Sequence, residues 1–521
     1  VPAEVVDDLL ARDGCGPATH RLTVREDGQP IRPRYYHVVS RMGPENHLGV
    51  FNNGVRAVER ALLERYFLCK VGNAFERPLP VTGFAYNSTC LQQFQRRVVR
   101  LVRDQVRVLD LREVVLCYTG PKRRVYERAY ASLGRECLNR KDSALRPFTK
   151  FEKQDLSKAP RIINPRHPRY NLTLGRYLKK AEKPFFSAIN DVWGSCTGHT
   201  VIKGLNVVEV GGVMRQKWER FSDPVAVGLD AVKFDMHVSV PALRYEHAFY
   251  NKVFCAAELK RLLTQQLVNR GMAVCPDGTV KFRIPGTRSS GDLNTSLGNC
   301  IIMCALIWAY CRERGVVAEL ANNGDDCVVI MEKSALCEFE RGIGEWFVVQ
   351  GFRMAVETPV YEFEQIEFCQ SFPMWDGVGW RMVRNPVTCL KKDPMCLLPL
   401  TGEKSFRKWL WAVGNCGLAL VPGIPVMASF YACFARHGLK ASDRHVAHMF
   451  RGTSMLERAG GLVVERRLPD SNSRASFWRA TGLTPDYQIA LERYFDGLVI
   501  DTRLRSIVED VRISPPFLWH L

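Results

Sequence analysis

No two cysteines in this 521-residue chain stand in C-x-x-C spacing, although it holds 18 of them. Zinc-ribbon and thioredoxin-like sites, which that spacing signals, are thereby excluded. Cys300, Cys304 and Cys311 fall instead in an apolar helical pattern and are expected to be reduced core thiols of an intracellular protein. Nor does any run free of charge, proline and glycine reach the ~20 residues a membrane-spanning helix needs. The nearest, CGLALVPGIPVMASFYACFA at 416–435, is broken by Pro422, Gly423 and Pro425 and reads as a buried helix after an irregular turn. Repeats and low-complexity tracts are missing too, which leaves one continuous multi-lobed unit. The chain opens on Val1 rather than Met, so a fragment, a processed product or the downstream part of a longer polypeptide is expected.

What is present is a core and a strong positive charge. With 46% hydrophobic residues the chain can bury a substantial interior. A formal charge of +19 favours a polyanionic partner, nucleic acid first and an anionic membrane surface second. The charge is concentrated: residues 121–180 hold 17 Lys and Arg against 5 Asp and Glu, a net of +12. Tyr126, Tyr130, Tyr170 and Tyr177 are interleaved with these cations, a mixture suited to backbone neutralisation plus base stacking.

Beyond residue 223 short apolar runs alternate with polar turns, as in a small sheet flanked by helices. The run PVAVGLD (224–230) reads as a strand, 241–271 as helix-rich, IPGTRSSGD as a loop before a helix at 293–314, and 317–332 as a hairpin. In that hairpin VVAEL and CVVIM flank NNGDD, which puts Asp325 and Asp326 at the tip. An Asn-Gly turn alone is common and structural. However, GLDAVKFD supplies a second carboxylate pair, with Asp230 at the end of an apolar strand and Asp235 five residues later. If the two strands are neighbours, Asp230 and Asp325 converge at a sheet edge, where hard oxygen ligands suit Mg²⁺ shared with substrate phosphates. Two such ions ~4 Å apart would serve in-line phosphoryl displacement. Solvated strand-end carboxylates are the simpler alternative.

A third element is SSGDLNTSLGNC, 289–300. Gly291 allows a flexible loop, and Asp292, Thr295 and Asn299 fall on one face of the helix that follows. Asp292 also reads as the helix N-cap. Hydrogen-bonding groups aligned in this way suit a site that senses a sugar hydroxyl. His445 and His448 in DRHVAHMF lack a cysteine or carboxylate partner at diagnostic spacing, and a core or surface pair is favoured over a zinc site.

In this order, D-x4-D, SGDxNTxxGN and GDD resemble motifs A, B and C of the RNA-dependent RNA polymerases of positive-strand RNA viruses. LDAVKFDMHVS, SSGDLNTSLGN and NNGDDCVVI are similar to the plant tombusvirus family, in its carmovirus-like group. The likeness extends through YTGPKRRVYERA, KAPRIINPRHPRYNLTLGRYLKKAE, FCQS and GLALVPGIPV, roughly residues 50–480. One departure is Met236, where the family usually has Gln.

The resemblance implies an α+β right-hand fold of fingers, palm and thumb, with an antiparallel palm sheet carrying motifs A and C. The boundaries expected are an N-terminal extension 1–50, fingers 51–222 with the basic fingertip 121–180, palm motif A 223–240, a fingers insertion 241–284, palm 285–375 and thumb 376–521. It further implies Asp230, Asp325 and Asp326 as catalytic ligands of two Mg²⁺ or Mn²⁺ ions. Asp235, Ser290, Gly291, Thr295 and Asn299 would select the ribose. Lys150, Lys153, Lys158 and Arg161 would hold the nucleotide triphosphate, and Phe368, Cys369, Gln370 and Ser371 would support the primer end. Arg353 is the candidate general acid, an ordinary surface arginine being the alternative.

Implied partners are an RNA template and product, nucleoside triphosphates, and, through upstream sequence, a viral auxiliary replication protein and host membranes, with no DNA expected. The implied location is a membrane-associated replication complex in the host cytoplasm. A reverse transcriptase-like polymerase and a catalytically inactive basic RNA-binding protein are the rival readings.

Overall fold

The run PVAVGLDA forms a strand because its alternate residues find apolar cover on both sides. In the computed structural model this strand, β1 (Pro224–Ala231), lies in a four-stranded sheet with β2 (Ala318–Asn323), β3 (Asp326–Glu332) and β4 (Met354–Val356). The order is β2–β3–β1–β4, and every neighbouring pair is antiparallel. The structure describes residues 21–503 apart from 32, 45–47, 73, 82–84, 450–454, 456–460 and 466, together with Val508–Glu509. Residues 1–20 of the expected N-terminal extension thus lie outside it.

One face of the sheet carries Ala226, Val328 and Ile330, which pack with Met214 and Trp218 of helix α1 (Val207–Glu219). The other carries Val225, Val227, Leu229, Val329 and Met331, buried against helices α2 (Val240–Phe254) and α3 (Thr295–Arg314). Among the described residues α3 is the one helix long and apolar enough to cross a membrane, and 83% of its apolar window is buried within the protein. Cys300, Cys304 and Cys311 sit in it as buried free thiols, as the apolar pattern predicts. The helix starts at Thr295 with Asn294 as its N-cap, so the Asp292 cap is corrected.

The helix-rich reading of 241–271 is corrected at its end. After helices α2 and Ala257–Thr264 the chain turns into a hairpin, Val268–Cys275 with Gly278–Pro285, which also pairs with Arg21–Glu26. Ala273, Cys275, Val280, Phe282 and Ile284 alternate inward against Val55, Val58 and Leu62. In the first strand the buried Asn269, the exposed Met272 and Val274, and Gly271 hide that period-two pattern.

Toward the C-terminus, helices Glu403–Leu420 and Met427–His437 pack on each other across the irregular turn 421–426. Gly414 and Gly417 make that contact possible: a β-carbon would meet the Ala435 backbone nitrogen at 2.3 Å and the Tyr431 ring at 2.1 Å. His445 and His448 both fall on helix Asp443–Met449, and the side chain of His448 lies outside the described residues.

One buried ion pair ties α1 to the sheet. Lys217, with no exposed side-chain surface, donates to Glu319 Oε2 at 2.8 Å, and Glu319 also accepts from Ser195 Oγ at 2.7 Å and Cys196 N at 2.8 Å. Burial would raise the Glu319 pKa, but Lys217 and these hydrogen bonds hold it down to about 2. Lys217→Met leaves a buried carboxylate without its principal cation, so thermal or denaturant unfolding is expected to register a loss of roughly 3–5 kcal/mol. Unchanged unfolding would show that Arg220, the other cation on Glu319, suffices.

Candidate active site

The turn between β2 and β3 contains two residues, Gly324 and Asp325, closed by the Asn323–Asp326 pair. Gly324 has φ +84° in the first central position, which a residue with a β-carbon adopts only with strain. The fully buried Asn322 braces the turn, donating from Nδ2 to the Gly324 carbonyl at 2.7 Å. Its backbone pairs in parallel with 200–202: Asn322 N donates to Thr200 O at 2.9 Å and Ile202 N to Asn322 O at 3.0 Å. Sequence reasoning took Asn322 only as turn-tolerant, because the segment it pairs with lies over 100 residues upstream.

The β3–β1 ladder ends at Cys327 opposite Leu229. The next residues outward, Asp326 and Asp230, therefore emerge at the same end of the sheet, with Asp325 beside them. All three are exposed to solvent. Their charges interact: loss of surrounding water and then Asp325 raise the pKa of Asp230. Asp326 is pushed up to about 6, by loss of water first and then by Asp325 and Asp230; a hydrogen bond to Cys369 and the charge of Lys203 oppose the rise. Glu357 joins this negative pole, raised by burial, Glu367, Asp230 and Asp326. Neither Lys203 nor Glu357 has a sequence signal, since each reaches the site from a loop.

Among the described residues no group of three or more His, Cys, Asp or Glu closes into a complete ligand set. The donor chemistry nevertheless fits Mg²⁺ or Mn²⁺. Exposed carboxylates that raise one another's proton affinity offer hard oxygens, and Mg²⁺ keeps several waters or substrate phosphates in its shell.

Behind this edge lies a hydroxyl-bearing network. Ser290 Oγ donates to Asp235 Oδ2, and Asn299 Nδ2 donates to Asp235 Oδ1 at 3.3 Å. Burial and Asp325 raise the Asp235 pKa, while Ser290, Arg288 and Asn299 oppose that shift. Arg288 Nε donates to Asn299 Oδ1 at 3.0 Å and pairs through Nη2 with Glu246 of α2, both side chains having no exposed surface. A β-carbon at Gly298 would stand 2.3 Å from Glu246 Oε1, so the glycine lets this pair approach α3. Arg288, Glu246 and Gly298 escaped the sequence reading because their partners are distant in the chain.

Two residues expected in this network act differently. Thr295 Oγ1 donates to the Ser289 carbonyl at 2.8 Å, fixing the loop rather than joining Asp235. Gly291 serves close approach, since a β-carbon would meet Asn164 O at 2.7 Å. Asp292 is consumed by a buried ion pair with Arg166 at 2.5 Å, so its sugar-sensing reading is corrected.

In the basic segment Lys158 and Arg161 are exposed, and Lys150 and Arg161 both pair with Glu152, at 2.7 and 3.2 Å. Lys153 Nζ donates to the Lys392 carbonyl at 2.5 Å, which directs it away from solvent and lowers its pKa through desolvation. Tyr126, Tyr170 and Tyr177 are buried at 6%, 0% and 5% exposure, which overturns their reading as base-stacking residues; Tyr130 is 44% exposed.

The FCQS turn stands against the carboxylate hairpin, with Asn323 Nδ2 donating to Cys369 Sγ at 3.2 Å. Cys369 and Gln370 have φ +53° and +57° between the paired Phe368 and Ser371, the tight turn of a hairpin. Arg353 lies on the β4 side of β1, its carbonyl accepting Val232 N at 2.9 Å and its Nη2 donating to Glu76 at 2.8 Å.

A profile of the family described as viral RNA-dependent RNA polymerase matches residues 22–503. The RNA-directed RNA polymerase of tobacco necrosis virus (strain A) is 40% identical over 481 residues, covering 91% of this chain and 65% of that protein. The corresponding proteins of turnip crinkle virus and tomato bushy stunt virus (strain Cherry) are 38% and 40% identical, over 89% and 90% of this chain and 60% and 57% of their own lengths. The chain therefore spans less than two thirds of these relatives.

The raised proton affinity of Asp326 sets a pH dependence. Between the ordinary value of 3.8 and about 6 the metal-free folded state binds more protons than the unfolded chain. Stability thus falls as pH rises through that window, with the full cost present above it. Mg²⁺, if held by the charged form, would offset the cost. The Mg²⁺-dependent rise in Tm is expected to be larger near pH 7.5 than near pH 5 and to shrink in Asp326→Asn; an equal rise at both pH values would refute this.

Proposed function

The chain belongs to the viral RNA-dependent RNA polymerase family, and from that premise we propose that it joins ribonucleoside triphosphates on an RNA template to replicate a positive-strand viral genome. The observation that carries this reading is the convergence of Asp230, Asp325 and Asp326 at one sheet edge, beside the Asp235–Ser290–Asn299 network. In the step we infer, the 3′-oxygen of the growing strand bonds to the α-phosphorus, the bond to pyrophosphate breaks, and the hydroxyl proton passes to solvent. Asp230, Asp325 and Asp326 would hold two divalent cations, which when bound supply Lewis-acid stabilisation of both oxygens.

The fixed charges of Lys158 and Arg161 suit a triphosphate approaching this negative pole. Lys150 shares Glu152 with Arg161 and belongs to the same loop, whereas the Lys153 ammonium would have to leave the Lys392 carbonyl before contacting a nucleotide. Asp235 and Asn299, with Ser290, would meet a 2′-hydroxyl, while Gly291 and Thr295 hold the loop. Phe368, Cys369, Gln370 and Ser371 would carry the primer end. Arg353 remains the candidate proton donor to pyrophosphate, provided its ion pair with Glu76 opens.

In this reading the β1–β4 sheet is the palm, the basic loops with the 268–285 hairpin are fingers, and the helices after 376 are the thumb. RNA and nucleoside triphosphates are the partners. An auxiliary replication protein and host membranes would engage through sequence beyond this chain, in a cytoplasmic replication complex.

The test is template-dependent incorporation of four ribonucleotides with and without Mg²⁺. Asp325→Ala is expected to lower incorporation by at least about a thousandfold, on the scale of losing a principal transition-state charge contact, while RNA affinity stays within about twofold. Synthesis retained by this variant would remove Asp325 from the reaction, and loss of RNA binding would make the defect one of folding. A reverse transcriptase is separated by its sugar preference. A site built to bond a 2′-hydroxyl rejects the analogue lacking it, so the wild type is expected to favour ribonucleotides and Asn299→Ala to lose roughly tenfold or more of that preference.

A further inference from the structure

Helix Val55–Leu62 does not end in an ordinary turn. It continues as a π turn, Leu63–Phe67, the kind of insertion that recurs at functional sites. Three consecutive residues of this turn contact three separate segments of the site. The Glu64 carbonyl accepts Lys233 Nζ at 2.7 Å, and Lys233, at φ +49°, lies between Asp230 and Asp235. Arg65 donates from Nε to Pro160 O at 2.7 Å and from Nη2 to Ala159 O at 2.7 Å, spanning the two residues between Lys158 and Arg161. The Tyr66 hydroxyl accepts from the backbone N–H of Ser290 at 3.2 Å and from the Asn164 side-chain amide.

These contacts form one connected unit. Ser289 Oγ donates to Asn164 O at 2.7 Å and Asn164 N to Ser290 O at 3.4 Å, so the strand following Arg161 is bonded directly to the loop that carries Ser290. Tyr66 is 1% exposed and cannot exchange its partners for water. Arg65 caps two carbonyls with a fixed fork, a geometry that a flexible ammonium reproduces only in part.

We propose that Arg65 and Tyr66 are positioning residues for nucleotide selection: the π turn sets the Lys158–Arg161 loop and the Ser290–Asp235–Asn299 network at a fixed spacing from Asp230. The proposal rests on the polymerase reading for its kinetic consequences, though not for its contacts. Triphosphate and ribose are parts of one substrate, so the sites that hold them must keep a constant separation. A shared rigid turn provides that constancy, and it assigns different consequences to the two side chains. Arg65 governs the phosphate loop alone, and Tyr66 governs the ribose loop.

The experiment compares Arg65→Gln, Arg65→Lys and Tyr66→Phe in the full chain by steady-state incorporation of ribo- and deoxyribonucleotides, and by amide hydrogen exchange. Tyr66→Phe is expected to reduce the ribonucleotide preference in kcat/KM roughly tenfold, the factor set by one buried hydrogen bond. It should also speed exchange at 288–292. Arg65→Gln is expected to raise KM for both sugars in parallel by a similar factor with the preference unchanged, to speed exchange at 158–161, and to be partly rescued by Arg65→Lys.

Wild-type KM and preference in both variants would overturn the proposal. So would a uniform loss of activity with unchanged preference and faster exchange throughout the protein, which marks a purely structural role. If the unmodified chain incorporates no nucleotide, the polymerase reading fails, and the localised exchange pattern still judges the contacts of residues 64–66 by itself.

Discussion

The repulsion among Asp230, Asp325 and Asp326 constrains everything built around them. Their backbones are fixed by hydrogen-bond ladders that end at one edge of the sheet, so the side chains have no freedom to separate far. The register that buries Val225, Val227 and Leu229 on one face and Ala226 on the other also brings Asp230 and Asp326 to the same end. A one-residue slip would reverse the faces and disperse the carboxylates together. Apolar burial thus enforces an electrostatic arrangement that is unfavourable in the metal-free protein. In the proposed reaction an approaching triphosphate would add more negative charge, and cations, bound or built in, would become a requirement of the geometry.

That arrangement is held by buried polar pairs as well as by packing. Lys217–Glu319 anchors β2 to α1, Arg288–Glu246 anchors the loop before α3 to α2, and Arg166–Asp292 anchors the same loop to the basic segment. Each involves two charges removed from water, a kind of pair that apolar side chains of similar volume often replace without loss of stability. What apolar contacts do not supply is direction. Arg288 bonds Glu246 and Asn299 at once, which orients the Asn299 amide toward Asp235. The polar pairs fix angles at the site, while the apolar clusters supply the free energy.

The legible parts of the sequence are those set by neighbours in the chain. Strand β1, the β2–β3 hairpin and the placement of Asp325 at its tip follow from period-two burial and turn chemistry, both local. The Asp235–Ser290–Asn299 network was reachable only through the resemblance, because no spacing rule joins residues 55 and 64 positions apart. Arg65, Tyr66, Arg288, Glu246 and Lys203 left no trace, since a cation's partner in a distant element has no period. The same gap misassigned Asp292, which has the composition of a helix cap, yet Arg166, 126 residues upstream, takes it. Val268–Cys275 was masked by Gly271, by the buried Asn269 and by the exposed Met272 and Val274, which break the expected alternation.

The basic segment shows why net charge overstates a nucleic-acid footprint. Of the cations in 121–180, Arg166 and Arg169 are buried against Asp292 and Asp142, Arg176 pairs with Glu258 at 2.9 Å, and Lys153 is capped by a carbonyl. Such groups release no counterions to a phosphate backbone, because their charge is already matched inside the protein. The cations that would be left for RNA are the exposed ones: Lys122, Arg123, Arg124 and Arg128 on helix Gly120–Leu133, and Arg135, Arg140, Lys141, Arg146, Lys158, Arg161 and Lys180 beyond it. Arg123 also pairs with Glu127, which reduces that set further. With three of the four tyrosines buried, attraction from this segment is to phosphate rather than to bases. It is therefore independent of sequence and weakened by salt, as would suit the proposed polymerase, which has to move along a template and accept every sequence it copies.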